Sequence, residues 1–246
     1  MPFKIKPSRL LSVPDTVDPN IVRVFDNFTW GDAGVDSIGP YFRVQEGSNA
    51  QTSISQGGEV NGEVVLLTGD GAAGTMAVNG VLIYGDRAFQ ASSNVNPLVY
   101  ECRLFVDDIT NVVLFAGFTD ASTLEMPFTL GASDTLTSNA TDAVGFLFDT
   151  NADTDNIWLV GVDSNVDATH QDTSQAYVAS TYITLRLEVG SAGEANFFIN
   201  GVSVGSEMTN AVASNIHLRP SVSAFSRNTT QKTIRVTHIL AEGRVA

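Results

Sequence analysis

Residues 182–205 read YITLRLEVGSAGEANFFINGVSVG, and this stretch decides the fold. Ile183, Leu185, Leu187 and Val189 alternate with Tyr182, Thr184, Arg186 and Glu188. A period of two puts alternate side chains on opposite sides of an extended chain, so one face is buried and the other is not. Ser191-Ala192-Gly193 offers a turn, and a second strand runs through Asn196-Phe197-Phe198-Ile199. Asn200-Gly201 then supplies the dipeptide favoured where both central residues of a hairpin turn need positive φ. A third short strand follows at Val202-Ser203-Val204.

The same texture extends in both directions. Strands are predicted over 22–30, 41–46, 60–68, 75–84, 98–106, 111–118, 143–149, 156–162, 181–189, 194–200, 202–205, 216–225 and 232–241. Gly, Asn, Asp and Pro punctuate the intervals, which is turn chemistry. No run of a dozen residues carries a 3.6-residue period; 207–216 has room for one helical turn. Regularly spaced short strands predict an all-β fold, an antiparallel two-sheet β-sandwich or jelly roll. No linker-like shift divides the body, so one domain is expected: an extended arm over 1–22 followed by a single sandwich over 23–246. Pro2, Pro7, Pro14 and Pro19 make a long helix in the arm untenable.

Composition narrows the function classes. With 43% hydrophobic and 16% charged residues, a substantial core is expected. Net charge is −14, so phosphate repulsion argues against a nucleic-acid partner. Through Arg23 the chain carries Lys4, Lys6, Arg9 and Arg23 against Asp15 and Asp18, a net +2, which leaves −16 for the remainder. A basic arm on an acidic body reads as a docking device for an acidic protein surface; a merely solvated terminus reads the same way. No uninterrupted apolar run long enough for a transmembrane helix occurs, so membrane insertion is not expected. The N-terminus has only Leu10-Leu11 where a signal peptide needs a longer apolar core. The lone Cys102 leaves no internal disulfide and is read as a small buried hydrophobe.

Faces can be assigned within strands. In 98–106, Tyr100, Cys102, Leu104 and Val106 share one side against Glu101, Arg103 and Phe105. In 232–241, Ile234, Val236 and His238 are placed together against Arg235, Thr237 and Ile239. Glu101, Arg103, Arg186 and Glu188 are expected to form cross-strand ion pairs on a mixed polar face.

Three segments carry a resemblance: AVGFLFDTNADTDNIWLVGVD (143–163), YITLRLEVGSAGEANFFINGVSVG (182–205) and RPSVSAFSRNTTQKTIRVTHILAEG (219–243). Their order resembles the concanavalin A-like lectin/glucanase jelly roll, of the kind found in tailed-phage virion proteins. The resemblance implies that the first and last strands lie side by side, VFDNFTW against IRVTHILAEG. It implies a non-enzymatic virion structural role: a capsid decoration (cement) or head-fibre component, homo-oligomeric and docked to a capsid or other virion protein. The alternative it carries is a glycan-binding, lectin-like host-recognition module. The family's glucanases bear a Glu-x-Asp-x-Glu strand, and no such triplet stands here, so a polysaccharide hydrolase ranks last and no catalytic residue is nominated.

Several motifs have chemical overtones and a plain structural role beside each. Gly201-Val202-Ser203-Val204-Gly205 matches the serine nucleophile elbow, yet continues as strand where the elbow needs a helix. Gly69-Asp70-Gly71-Ala72-Ala73-Gly74 matches a dinucleotide loop, yet strand and turn are expected after it. Asp149, Asn151, Asp153 and Asp155 alternate as calcium ligands do, although Thr154 and Val160 stand where an EF-hand requires Gly and Glu. A hairpin loop is the competing account, so calcium is the one cofactor entertained. Trp30, Trp158, Tyr41 and Tyr177 could stack on a sugar or serve the core. His170, His217 and His238 share no metal-ligand spacing.

Overall fold

The computed structural model describes residues 21–28, 37–38, 41–57, 62–91 and 97–244. These residues form two antiparallel sheets packed face to face. The first sheet runs, strand by strand, Val202–Met208, Ala195–Ile199, Ile183–Val189, Leu98–Val106 and Thr233–Arg244. Beyond Thr233–Arg244, its first half pairs Val64–Leu67, which pairs Ser53–Gln56, and its second half pairs Ile21–Asp26. The second sheet runs Ser37–Ile38, Phe42–Glu46, Gly80–Tyr84, His217–Ser226, Val112–Thr119, Ala143–Asp149 and Asn156–Asp163. The first and last strands are neighbours, with Val24 opposite Ala241 and Asp26 opposite Ile239.

Alternation predicts the inner faces well. Tyr100, Cys102, Leu104 and Val106 are fully buried, as are Leu187 and Val189, with Leu185 nearly so. Each such side chain withdrawn from water contributes roughly 1.5–3 kcal/mol, which offsets the entropy of ordering the strands. Aromatic contacts bridge the layers. Phe146 meets Phe197 edge to face with ring centroids 5.4 Å apart, and Tyr100 meets Phe118 at 5.6 Å. The Tyr100 hydroxyl donates to the Ser221 carbonyl (3.0 Å), giving a buried polar group its partner. Asn200 (φ 51°) and Gly201 (φ 79°) both take the left-handed backbone the hairpin needs.

Two expectations are corrected and a third is met at its lower limit. The alternation of 232–241 does not hold through to Ile239: a register shift between Val236 and His238 inserts one residue. The bulge inverts the phase, so Ile239 is buried and His238 faces outward. The strand predicted over 75–84 begins only at Gly80, because Met76–Asn79 form one helical turn. Asn79 explains the turn. Its buried amide accepts from Gly71 N (2.8 Å) and donates to the carbonyls of Gly71 (2.7 Å) and Ser226 (3.1 Å). Those bonds wrap the Gly69–Gly74 loop around a side chain and leave it a structural loop. Finally, 207–216 holds no helix; the strand Val202–Met208 runs into turns. No helix among the described residues is long and apolar enough to cross a membrane.

Candidate functional site

The outer faces of the two sheets differ, and that difference locates the site. On the second sheet, Gly117 and Gly145 are cross-strand partners. The Phe115 ring lies over both, since an added Cβ would come within 3.1 Å of it at Gly117 and 2.8 Å at Gly145. Phe128 packs on Phe115 with centroids 5.7 Å apart. Phe128 belongs to a small hairpin, Phe128–Leu130 with Leu136–Ser138, that folds back onto this face. Met126, Phe128, Leu130, Leu147 and Trp158 make a second apolar cluster there, separate from the inter-sheet core. The chain itself closes that face.

The predicted calcium residues belong to this closure. Asp149, with no exposed surface, accepts from Arg227 Nε (3.0 Å) and Nη2 (2.6 Å). It also accepts from the amides of Asn151 (3.0 Å) and Leu130 (2.8 Å). A carboxylate has about four acceptor positions, and protein donors fill them here. Asp153 accepts from Ser133 N (2.9 Å), and its own amide donates to Asp134 (2.8 Å). Asn151 and Asp155 are exposed on the turn between the strands. The loop clasps the hairpin to the sheet, and a cation at Asp149 would have to displace those bonds. Among the described residues, no three His, Cys, Asp or Glu side chains stand grouped as a metal site requires.

The outer face of the first sheet is open. Phe25 on Ile21–Asp26, Arg103 and Phe105 on Leu98–Val106, and Arg235, Thr237 and His238 on Thr233–Arg244 line a groove with Tyr182 and Glu63. Its volume is about 700 Å³, within the range of small-ligand sites. Glu63 is buried beneath it, ion-paired with Arg235 and accepting from the Tyr182 hydroxyl at 3.1 Å. Tyr182 packs against Phe105 with centroids 5.3 Å apart. The Arg103 guanidinium lies 4.3 Å above the Tyr182 ring, where the negative π-face attracts a cation. Phe25 is 52% exposed and its ring centre is 5.9 Å from that of His238. Burial pushes the His238 imidazole below its ordinary value, with Glu101, 3.3 Å away, acting in the opposite direction.

The four residues expected to pair behave unequally. Arg186 bonds Glu188 at 2.7 Å and Glu101 at 3.5 Å. Arg103 is exposed and has no carboxylate within ion-pairing distance among the described residues. Of the docking cations, Lys4, Lys6 and Arg9 lie outside the described residues, and Arg23 is ion-paired with Glu242 on the neighbouring strand. Of the aromatic residues read as possible sugar platforms, Trp158 and Tyr177 are core, Tyr41 is half exposed, and Trp30 lies outside the described residues. The groove's aromatics, Phe105 and Tyr182, were not singled out. Their signal was available: each is an aromatic residue on the polar phase of an alternating strand or just ahead of one.

No protein-family model matches the chain, and no curated protein matches it in sequence. Solved structures do. The chain is similar to a protein of unknown function from Shewanella oneidensis MR-1, at 12% identity and TM-score 0.60, over 100% of this chain and 97% of that one. It is similar to a prokaryotic β-1,3-1,4-glucanase (lichenase) from a mouse hindgut metagenome, at 9% identity and TM-score 0.58, over 89% and 98%. It is also similar to a carbohydrate esterase from the Shiga toxin-encoding bacteriophage phi24B, at 14% identity and TM-score 0.50, over 83% and 90%. At these identities the likeness establishes the concanavalin A-like jelly-roll fold and nothing finer.

Proposed function

We propose that this chain is a non-catalytic, lectin-like binding domain that holds a saccharide in the groove of its open sheet. The single observation behind this reading is the contrast of faces. One is filled by the chain's own hairpin, and the other presents Phe25, Phe105 and Tyr182 beside arginine. Phe25 is exposed, and Phe105 and Tyr182 are half-buried beside it; an accessible aromatic ring offers the apolar face of a sugar a flat partner, while guanidinium and hydroxyl groups meet its oxygens. Glycoside hydrolysis is set aside because no pair of free carboxyls among the described residues faces the groove: Glu63 is engaged by Arg235 and Tyr182, and Glu101 by Arg186 and His238. A glycosidase needs two such groups in defined opposition. The test is a glycan array with purified protein, with and without chelator, alongside a turnover assay on β-glucan. Binding that Tyr182→Ala abolishes, without turnover, supports the reading; silence on every glycan, or product formation, overturns it. Loss of binding on chelation would bring calcium back into the account.

A second reading, a virion structural component, uses a different surface. It draws on the basic residues Lys4, Lys6 and Arg9 and on the likeness to a phage protein. In this reading the domain docks to a capsid or other virion protein through its arm, as a homo-oligomer, and arm ordering contributes contacts. Deleting residues 1–20 should leave a folded sandwich that no longer joins the particle. Continued attachment of that truncated chain removes the arm's role. The two readings are compatible, because a particle-bound domain would keep its groove open.

A further inference from the structure

The groove carries an unequal charge balance. Two arginines, Arg103 and Arg235, line it against the single carboxylate of Glu63, on a chain of net charge −14. Glu63 is already committed to Arg235 and to the Tyr182 hydroxyl. Glu101, on the same strand as Arg103 and outside the lining, is shared between Arg186 and His238. Arg103 is thus the one exposed lining cation whose charge no described carboxylate answers. Its guanidinium carbon sits 4.3 Å from the centre of the Tyr182 ring, a cation–π contact that leaves its N–H groups without a carboxylate partner among the described residues. A stacked, unpaired arginine in a groove is prepared for a planar anion that it can grip through two parallel hydrogen bonds. Phe25, from the strand Ile21–Asp26, and Phe105, two residues along the strand from Arg103, supply apolar surface in the same groove.

We propose that the ligand is an acidic saccharide of the uronate class, its carboxylate held by Arg103 and its ring face laid on the groove aromatics. This rests on the saccharide-binding reading above and adds the charge of the ligand to it. Arg235 serves as a second cation, fixed in position by buried Glu63. His238 stays neutral near pH 7 and donates or accepts one hydrogen bond to a ring hydroxyl. The same acidic chain that repels polyanions elsewhere would admit one only here, which restricts binding to this face.

The test is calorimetric titration of the full-length protein with tetragalacturonate and, separately, with cellotetraose as a neutral probe of similar length. Tetragalacturonate should bind, and binding should weaken several-fold between 50 and 300 mM salt, as a charge-assisted contact requires. Arg103→Ala should weaken it tenfold or more, and Arg103→Lys should fall between, because an ammonium keeps the charge and loses the fork. Arg23→Ala, outside the groove, should leave it unchanged. Cellotetraose bound as tightly as tetragalacturonate, or binding indifferent to Arg103, overturns the uronate assignment and leaves saccharide binding standing. Absence of binding to either probe and to the array overturns both. Melting curves of the variants separate lost affinity from lost structure.

Discussion

The two outer faces of this sandwich are built from the same alternating grammar and end in opposite states. On the second sheet, the outward positions of the central strands are Gly117, Gly145, Leu147, Ser221 and Phe225, and a returning hairpin seals them. On the first, they are Glu101, Arg103, Arg186, Glu188 and Arg235, and water reaches them. Small and apolar residues invite the chain to cover its own sheet; long charged ones keep it away. The contrast teaches where stability is invested and where recognition is left free.

Substitution sharpens the contrast. Phe115→Ala removes the ring seated on the glycine pair and should cost about 3–5 kcal/mol, the usual penalty for a large core deletion. In a chain of this size that lowers Tm by roughly 10 °C or more, readable by calorimetry. A groove variant with a comparable loss would break the distinction between the faces. Asp149→Asn keeps the shape of the clasp but gives up its charge toward Arg227 and the Leu130 amide. About 2–3 kcal/mol is expected, the range for hydrogen bonds to a charged group. Faster amide exchange should accompany it in the 128–138 hairpin and not in the groove strands. Arg186→Gln breaks pairs with half-exposed Glu101 and Glu188, and less than about 1 kcal/mol should be lost in urea melts. Arg103→Ala should fall within about 0.5 kcal/mol of the parent, as surface changes do, even though it empties the groove of its free cation.

The smallest effect concerns pH. His238 has its proton affinity lowered by burial in the folded state, with Glu101 opposing that and Arg103 reinforcing it. The unfolded chain therefore binds that proton more readily than the native one. Stability contributed by keeping the ring neutral is present above the ordinary histidine range near 6.5 and is lost as pH falls through it. His238→Gln should flatten the decline in stability between about pH 7 and 5 relative to the parent. An unchanged slope would show that His238 does not carry it.

Much of this was legible from residues alone, and the failures have definite causes. The strands 143–149 and 156–162, the Asn200-Gly201 turn and the buried side of 98–106 follow from local alternation and turn chemistry, which short-range sterics enforce. His238 was placed on the wrong face because a bulge costs one residue of phase and leaves no mark in composition. The turn at Met76–Asn79 was missed because Asn79 is satisfied by partners as remote as Ser226. The clasp at Asp149 looked like a cation loop because the same oxygens that attract a metal also accept backbone amides and a guanidinium. Which donor arrives depends on the hairpin and Arg227, both brought in by the fold. The groove needed residues from five separated segments, and only their assembly revealed that Arg103 rests on Tyr182 with no carboxylate partner among the described residues. Its aromatic members were visible as exceptions to the alternation, a signal that becomes meaningful once the opposite face is known to be sealed.

The pairing of Ile21 with Arg244 brings the entry and exit of the sandwich to one corner of one sheet. A pull applied across those two points opens the ladder from its end, one rung after another, instead of shearing all rungs at once. A tether at residue 21 loads Ile21–Asp26 directly, and that strand carries Phe25 into the groove. Tension at this corner is therefore felt first at the Phe25 wall of the groove, and reaches Arg103 and Phe105 only through Thr233–Arg244.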